Sequence, residues 1–389
     1  MVVPGTSLNL PSMRVWLSEG QPRWLSALEE LVRCESPSGD WEALRACASI
    51  AEAWFGREAG LSDSQLVIDQ NVPSLRMRSK QSQGEPVLLL GHLDTVWEKG
   101  AFQPLFEDAG ARVQGPGVFD MKGGAVVALA ALAGLRESGV ALGPLTLLLT
   151  GDEEVGSSTS RALIEAEARR HRAVLVLEPP VGDLVKVARK GTGGYDVTVY
   201  GRAAHAGLEP DKGINAVVEI APLVAQIAAL ARPELGTTVS PTVLRGGTRT
   251  NVIPAMAHLE IDVRFSSAAE ADRIEMEIRR LGVSHPGARL EIKGGANRPP
   301  FEPQLSTSLF GLARRVAAEL GWAGLDGAAV GGGSDGNFTA ALGIPTLDGM
   351  GIVGGNAHAE GEWALTDSLP DRAALLAGCI LGIWGGQLT

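Results

Sequence analysis

The chain has 389 residues, of which 45% are hydrophobic and 20% charged, as in a globular protein. Because this length exceeds what one ordinary hydrophobic core accommodates, we expect two domains. The net charge of −11 argues against a nucleic-acid partner, since phosphate binding needs clustered Lys and Arg. No apolar run is long enough to span a bilayer, and the first residues do not resemble a signal peptide. A cytoplasmic protein without a membrane partner is therefore expected.

The first half of the chain alternates between helical and strand-like patterns. Apolar residues at helical spacing predict helices at Pro22–Val32, Trp41–Phe55, about Gly124–Glu137 and Ser157–Arg172. Strands are predicted at Gln65–Ile68, Ser74–Arg78, Val87–Leu90, Leu145–Thr150 and Ala173–Leu177, with a polar loop at Ser79–Glu85. The last three strands are continuous apolar runs, which is typical of strands buried on both faces of a sheet. This order predicts an α/β fold with a mixed or parallel sheet flanked by helices.

The pattern changes near residue 189. Predicted strands and helices then follow in the order β-α-β-β-α-β, at Gly193–Tyr200, Ile214–Ala231, Thr237–Leu244, Ala257–Phe265, Glu270–Leu281 and Ala288–Lys293. This order is the ferredoxin-like split pattern. We therefore predict an inserted α+β domain at 189–298, between the two parts of the main domain, 1–188 and 299–389. The second part has a helix from Leu305 to Leu320, a short strand at Ile344–Leu347 and a closing helix from about Asp371.

A glycine-rich turn, Gly115–Gly124, places Asp120 directly before a predicted helix. Glycines allow close approach of the backbone and positive φ, so such a turn can hold Asp120 at a constrained angle. The alternative is that Asp120 merely caps the helix. Further histidines and acids occur near the ends of other strand-like runs. We therefore hypothesise a two-metal hydrolytic site in which Asp120 is the shared ligand.

Potential metal ligands follow the buried strands. His92, the acids Asp152–Glu154 and Glu178 all come at the carboxyl ends of these strands, where ligands bind in such sheets. For His92 the alternative is a strand-end histidine bonded to the backbone. For the acids Glu153 and Glu154 it is a solvated helix start, where negative charge suits the helix dipole. A charge such as Glu178 at the end of a buried strand is costly unless it is paired or bound to metal.

Two further residues complete the proposed centre. Asp94 follows His92 closely, and a carboxylate commonly orients a metal-bound histidine. His358, in the loop Gly354–His358, is a candidate late ligand, with an exposed loop histidine as the alternative. Histidine and carboxylate ligands without thiolate suit Zn²⁺, and they also accept Co²⁺ or Mn²⁺. Two ions that share a carboxylate lie about 3.5–4 Å apart.

A set of motifs in fixed order extends from about residue 88 to the C-terminus. They are His92–Val96, Gly115–Gly124, Gly151–Ser157, Glu178-Pro179, Gly201–Gly207, Asn251–Pro254, Asp262–Arg264, Arg298-Pro299 and Gly331–Asp335. With these motifs the chain resembles metallopeptidase family M20, in particular its glutamate carboxypeptidase (carboxypeptidase G2) branch.

The resemblance implies a complete metal centre. One Zn²⁺ would bind His92, Asp120 and Glu178, and a second would bind Asp120, Glu154 and His358. Glu153 would be the general base, and Asp94 would orient His92. The peptide bond after Asp120 would be cis.

The resemblance also implies roles for the inserted domain, as a lid that mediates homodimerisation. His205 would reach the active site of the partner subunit and polarise the substrate carbonyl. Asn251 and Arg264 would contact the substrate, and Arg298 its carboxylate. For Arg264 the alternative is a surface charge at a strand end.

The implied function is a zinc-dependent exopeptidase or amidohydrolase acting on a small peptide or an N-acyl amino acid. It would cleave an amide bond next to a free carboxylate, as a carboxypeptidase releasing glutamate or a similar amino acid does. One alternative is an N-acyl-amino-acid deacylase of the acetylornithine or succinyl-diaminopimelate type. Another is a catalytically silent binding relative, against which the presence of Glu153 counts.

Overall fold

The computed structural model describes residues 9–80 and 84–388, so the centre of the predicted polar loop, 81–83, lies outside the described residues. The α-helices in this part of the chain are α1 (Leu10–Glu19), α2 (Gln21–Arg33), α3 (Trp41–Trp54), α4 (Lys122–Glu137), α5 (Arg161–Ala168), α6 (Ala216–Ala228), α7 (Ala268–Arg279), α8 (Thr307–Glu319), α9 (Gly336–Ala341) and α10 (Ser368–Trp384). The strands are β1 (Asp63–Asp69), β2 (Val72–Arg78), β3 (Val87–His92), β4 (Glu107–Asp108), β5 (Arg112–Gln114), β6 (Leu145–Thr150), β7 (Ala173–Val176), β8 (Val185–Arg189), β9 (Gly191–Tyr200), β10 (Ala204–His205), β11 (Thr238–Gly246), β12 (Val252–Ile253), β13 (Met256–Phe265), β14 (Arg289–Arg298), β15 (Gly327–Val330), β16 (Thr346–Leu347), β17 (Gly354–Gly355) and β18 (Trp363–Leu365).

The chain forms two compact units. The first contains the described residues up to Ala188, together with Pro303–Ala329 and the chain from Ser334 onward. The second contains Arg189–Glu302 and Val330–Gly333.

The first unit is built on a six-stranded mixed sheet in the order β1-β2-β6-β3-β7-β16. The strands β6, β3, β7 and β16 run parallel, whereas β1 and β2 are antiparallel to their neighbours. The central strands β3, β6 and β7 are buried along their whole length. The prediction of a mixed α/β sheet buried on both faces is confirmed.

Successive side chains of the central strands belong to different hydrophobic cores. Leu89 and Leu147 pack in the larger core with helices such as α4 and α10. Their neighbours Leu88 and Leu148 pack in a smaller core that includes residues of α5 and α9. Because side chains alternate across a strand, this division covers both faces of the sheet with helices. The polar groups near the strands' carboxyl ends are therefore held in rigid, largely dry surroundings.

The second unit contains a four-stranded antiparallel sheet in the order β11-β13-β9-β14. Along the chain its long elements follow as β9, α6, β11, β13, α7 and β14, which is a split β-α-β-β-α-β arrangement. Burial alternates along β9 and β13, so one face of each strand is covered. Residues of α6 and α7 form a common core with that covered face, among them Ile220 and Ile274.

Several local elements differ from the sequence prediction, and helices α1 and α5 are two of them. Helix α1 was not predicted, although Asn9 caps it by accepting from the Ser12 amide at 3.1 Å, and a proline in the first turn is compatible with a helix. The helix predicted at Ser157–Arg172 spans only Arg161–Ala168, so that prediction was too long. The chain before it turns around Asp152, whose carboxylate accepts the amides of residues 159 and 160.

The last strand of the second unit is also longer than predicted. Strand β14 continues through Gly294 and Gly295 to Arg298, beyond the predicted end at Lys293. Both glycines have positive φ, and the strand pairing shows a register irregularity between Ala296 and Arg298. These glycines therefore allow the strand to bend without ending. Across the described ranges 9–80 and 84–388, no helix is long and apolar enough to cross a membrane.

Candidate metal centre

The carboxyl ends of three neighbouring strands bring histidine and acid side chains together. His92 is the last residue of β3, Glu153 and Glu154 follow β6, and Glu178 follows β7. His92 is 1% exposed and Glu178 6% exposed, so both lie away from bulk water. Since β3 lies between β6 and β7 in parallel pairing, these ends meet at one edge of the sheet.

The turn that carries Asp120 packs closely against the chain that leads into Glu178. Gly117 has a φ of 73°, which favours glycine. A Cβ atom placed on Gly124 would lie 1.9 Å from the carbonyl oxygen of Leu177, so only glycine allows this approach of α4. The peptide bond between Asp120 and Met121 is cis, as the family resemblance implied.

The two carboxylate oxygens of Asp120 face different histidines. Its Oδ1 lies 3.4 Å from Nε2 of His92, and its Oδ2 lies 3.3 Å from Nε2 of His358. A carboxylate in this arrangement has one oxygen available for each of two neighbouring cations. Asp120 therefore occupies the central position that the sequence hypothesis requires of a shared ligand.

Each histidine also has a further acid beside it. Oε1 of Glu178 lies 3.5 Å from Nε2 of His92, and Oε2 of Glu154 lies 3.0 Å from Nε2 of His358. Oε2 of Glu153 lies 3.9 Å from Nε2 of His92. All the predicted metal ligands and the predicted base thus form one contiguous cluster.

The cluster does not divide into two ligand sets by distance alone. Potential ligand atoms of His92, Asp120 and Glu154 lie within 4.8 Å of one another, and so do those of His92, Glu153 and Glu178. The two ligand sets implied by the resemblance therefore stay a prediction, as do the roles of the individual residues.

Asp94 connects His92 with the loop after β6. Its Oδ1 lies 3.4 Å from Nδ1 of His92 and accepts the Glu153 amide at 3.2 Å. Its Oδ2 accepts the Glu154 amide at 3.1 Å and the hydroxyl of Ser38 at 2.7 Å. The Nδ1 atom is also 3.0 Å from the backbone oxygen of Asp94. Asp94 therefore holds the imidazole and the two glutamates in fixed relation.

The cluster fits a bound cation. Within the cluster, three buried potential ligand atoms have no hydrogen-bond partner: His92 Nε2, Asp120 Oδ1 and Glu154 Oε1. Buried polar atoms are seldom left in this state. Since all three belong to the cluster, a metal ion would provide the missing partner for each of them.

The acids of the cluster raise the pKa values of both histidines. Asp120 and then Glu154 raise the pKa of His358 to about 10. Burial lowers the pKa of His92, but the neighbouring carboxylates of Asp120, Asp94 and Glu178 outweigh this effect, so the pKa is raised well above its usual value. Burial raises the pKa of Asp120, but the two histidines outweigh that effect and lower it. The acids thus favour positive charge at this site.

His205 and Asn251, predicted to contact substrate, are neighbours in the second unit. His205 pairs with Val252 across the β10–β12 ribbon, and the backbone amide of Ala206 donates to the backbone carbonyl oxygen of Asn251 at 3.0 Å. Nδ1 of the exposed His205 ring accepts the amides of Gly207 and Leu208, at 3.1 and 3.0 Å. This ring is therefore held through one nitrogen at the surface of the unit.

Arg264 and Arg298 share one face of the second unit's sheet. Both are directly opposite Thr192 in the strand register, one on β13 and the other on β14. Arg264 pairs with Asp262 on its own strand, with two contacts of 3.0 Å, which is also what a surface ion pair would show. Arg298 is 5% exposed. These arginines, like His205 and Asn251, belong to the second unit, whereas the metal cluster belongs to the first.

The sequence analysis missed two charged residues beside the cluster. Nζ of Lys186 lies 3.8 Å from Oε2 of Glu178. Glu362 accepts the backbone amide of Asp120 at 2.9 Å. Neither belongs to an apolar strand end, which was the signal used to find the ligands. For Glu362 a weak signal existed, because it is an acid placed shortly after His358.

Comparison with known proteins supports this centre. The chain matches peptidase family M20/M25/M40 over residues 88–382. It is 30% identical to carboxypeptidase G2 from Pseudomonas sp. (strain RS-16) over 383 residues, covering 95% of this chain and 91% of that protein. It is also 30% identical over 309 residues to a succinyl-diaminopimelate desuccinylase from Stenotrophomonas maltophilia (strain K279a), covering 74% of this chain and 81% of that protein.

A solved structure shows the same fold. A dinuclear metal-binding peptidase of family M20 from Bacillus subtilis superposes with a TM-score of 0.67 at 17% identity, covering 95% of this chain and 99% of that one. These findings define a hydrolytic enzyme, either a metallo-exopeptidase or an amidohydrolase. The chain belongs to peptidase family M20, and the resemblance inferred from its motifs is confirmed.

Proposed function

We propose that the chain is a two-zinc hydrolase that cleaves an amide bond next to a free carboxylate. The observation that carries this proposal is the position of Asp120, with one oxygen toward His92 and the other toward His358. One ion would be held by His92, Asp120 and Glu178, and the other by Asp120, Glu154 and His358. The histidine and carboxylate donors suit Zn²⁺, and they also accept Co²⁺ or Mn²⁺.

Glu153 is the proposed general base. Bound metal ions would polarise the scissile carbonyl and make water more acidic. Glu153 lies in the cluster with its side chain 11% exposed, which leaves it open to a water molecule while most of the solvent is excluded. It would take a proton from the attacking water and then donate that proton to the leaving amine. Asp94 keeps Glu153 in place through the backbone amide.

The proposed substrate is a small peptide or an N-acyl amino acid with a free terminal carboxylate. Arg298 would bind this carboxylate, with Asn251 and Arg264 as further contacts. Similarity to carboxypeptidase G2 over 95% of the chain favours release of glutamate or a similar amino acid. Similarity to a succinyl-diaminopimelate desuccinylase makes N-acyl-amino-acid deacylation the second candidate.

A substrate panel tests this proposal. We expect N-acyl-glutamates to be hydrolysed with a higher kcat/KM than neutral dipeptides, N-acetylornithine or N-succinyl-diaminopimelate. Converting the terminal carboxylate of the best substrate to an amide should lower kcat/KM on the order of 10²–10³-fold, because a charged partner of arginine is lost. Preference for the succinylated or acetylated diamino acid would instead support deacylation. Equal rates on the acid and its amide would contradict carboxylate recognition.

We further propose that the second unit is a lid that forms a homodimer. In support, β11 lies at an edge of its sheet, so its outer backbone groups are available for a partner. Leu244 on β11 is 55% exposed, and Val218 on α6 is 62% exposed. In the strand register Leu244 is opposite the buried Leu259, so it lies on the face that α6 covers. Strand and helix thus present an apolar margin that association would bury.

In this dimer His205 would act in the active site of the partner subunit. Mixing inactive His205→Ala chains with inactive Glu153→Ala chains should then restore activity. At random exchange about half of the dimers would hold one site with both residues intact. The measurement is hydrolysis after subunit exchange, with exchange verified by co-purification of differently tagged chains. Each variant incubated alone is the control, and no recovery despite verified exchange would exclude action across the dimer.

Cytoplasmic localisation stays a prediction from the sequence.

A further inference from the structure

Glu362 is a buried acid that binds the Asp120 turn through its side chain. Its Oε1 accepts the amides of Phe119 and Asp120, both at 2.9 Å. Its Oε2 accepts the Gly117 amide at 3.1 Å and the indole N–H of Trp97 at 3.2 Å. One carboxylate therefore accepts hydrogen bonds from three backbone amides of the turn and from one side chain.

The backbone of Glu362 is tied to the same turn. Strand β18 pairs with β5, with Trp363 opposite Gln114. Just beyond that pair, the Gly115 amide donates to the Glu362 carbonyl oxygen at 3.2 Å. The pairing of β18 with β5 therefore places Glu362 beside the start of the Asp120 turn.

Burial raises the pKa of Glu362, and the hydrogen bonds from these N–H groups offset part of that effect. The residue is 1% exposed, and in the described part of the chain no Lys, Arg or His forms an ion pair with it. A buried carboxylate without a cationic partner is costly unless hydrogen bonds satisfy its oxygens. Four donors fill this role, and a neutral or shorter side chain could not retain all four. These four hydrogen bonds of the Glu362 carboxylate therefore all go to the Asp120 turn or to Trp97.

Glu362 also lies shortly after His358 on the same chain segment. One segment thus supplies a predicted ligand, His358, and an acid that grips the backbone of another predicted ligand, Asp120. Oδ2 of Asp120 lies 3.3 Å from Nε2 of His358. Because Glu362 binds the backbone of the Asp120 turn from the segment that carries His358, it limits how far the two ligands can move apart.

We propose that Glu362 is a positioning residue that holds the Asp120 turn in the geometry required for metal binding. This inference rests on the proposed function in one respect, the assignment of Asp120 as a metal ligand. Glu362 itself contacts neither substrate nor metal. It acts through the backbone of residues 117–120, where three hydrogen bonds restrict the freedom of a glycine-containing turn.

Glu362→Gln tests the inference with little change in shape. Each carboxylate oxygen of Glu362 accepts two hydrogen bonds. Glutamine replaces one of these oxygens with an NH₂ group, which cannot accept, so two of the four donors lose their acceptor. We expect Zn²⁺ affinity, measured by competition with a chromophoric chelator, to fall about 10–100-fold. In the metal-free protein, hydrogen exchange of the amides in 117–120 should accelerate, with no change in the central strand β3.

Glu360→Gln is the matched control. It removes the same charge from the same loop, but Glu360 is exposed and lies outside this hydrogen-bond network. Its Zn²⁺ affinity should stay within about twofold of the wild type. Trp97→Phe is a second variant, which removes only the indole donor and should reduce Zn²⁺ affinity less than Glu362→Gln does. If Glu362→Gln does not fold, Trp97→Phe provides the test. Unchanged Zn²⁺ affinity in Trp97→Phe would then overturn the inference.

The two readouts separate this inference from the proposed function. Wild-type affinity for Zn²⁺ in a folded Glu362→Gln protein would overturn the positioning role, and so would unchanged exchange in 117–120. If the wild type itself bound no Zn²⁺, the proposed function would fail. Amide exchange in the metal-free variant would still show whether Glu362 holds the turn.

Discussion

Substitution of Glu153 by glutamine is expected to lower kcat by about 10²–10⁴-fold, the usual contribution of a general acid-base group. Glutamine has nearly the shape of glutamate but cannot take a proton from water at neutral pH. The Glu153 amide bond to Asp94 does not involve the side chain, so the loop should stay in place. Metal content should therefore equal that of the wild type.

The test combines single-turnover kinetics with metal analysis of the same preparation. Glu360→Gln serves as the control, since it changes an exposed acid of the active-site loop by the same atoms. A Glu153→Gln protein that has lost metal together with activity would identify Glu153 as a ligand. Wild-type turnover with full metal content would show that another group acts as the base.

Substitution of Asp120 by asparagine is expected to weaken both metal positions and to abolish measurable turnover. The amide keeps one oxygen but replaces the other with an NH₂ group, which repels a cation and offers no lone pair. Because the two oxygens of Asp120 face His92 and His358, one site loses its oxygen ligand and the other keeps only a neutral amide oxygen, which binds a cation more weakly. Glu178→Gln should weaken mainly one position, since Glu178 lies beside His92, with Oε1 3.5 Å from Nε2. Metal content per chain, measured after dialysis against metal-free buffer, distinguishes the two variants.

The first unit's sheet could be predicted from sequence because its central strands are unusually simple. The runs that form β3, β6 and β7 are mostly apolar and wholly buried, and each ends at or shortly before a histidine or an acid. A buried strand that ends on a charge gives a local signal both for the sheet and for its functional edge. His92 and Glu178 could therefore be placed before any contact between them was known.

Other features depend on contacts between distant parts of the chain. Glu362 binds the turn at 117–120 across more than 240 positions, so nothing in its local sequence indicates this partner. The late start of α5 has a similar cause, since the buried Ser157, with a φ of 55°, donates to Asp335 far along the chain. Such buried polar partners override local helix propensity, and propensity alone cannot reveal them.

The central claim is that one carboxylate serves two metal ions, and zinc titration of the metal-free chain tests it most directly. Asp120 is predicted to give the wild type two zinc ions per chain, with full turnover only when both are bound. In Asp120→Asn neither ion should be retained at the same free zinc concentration, whereas Glu178→Gln should retain one. Two tightly bound ions in Asp120→Asn, or full wild-type activity in the presence of excess chelator, would contradict this account.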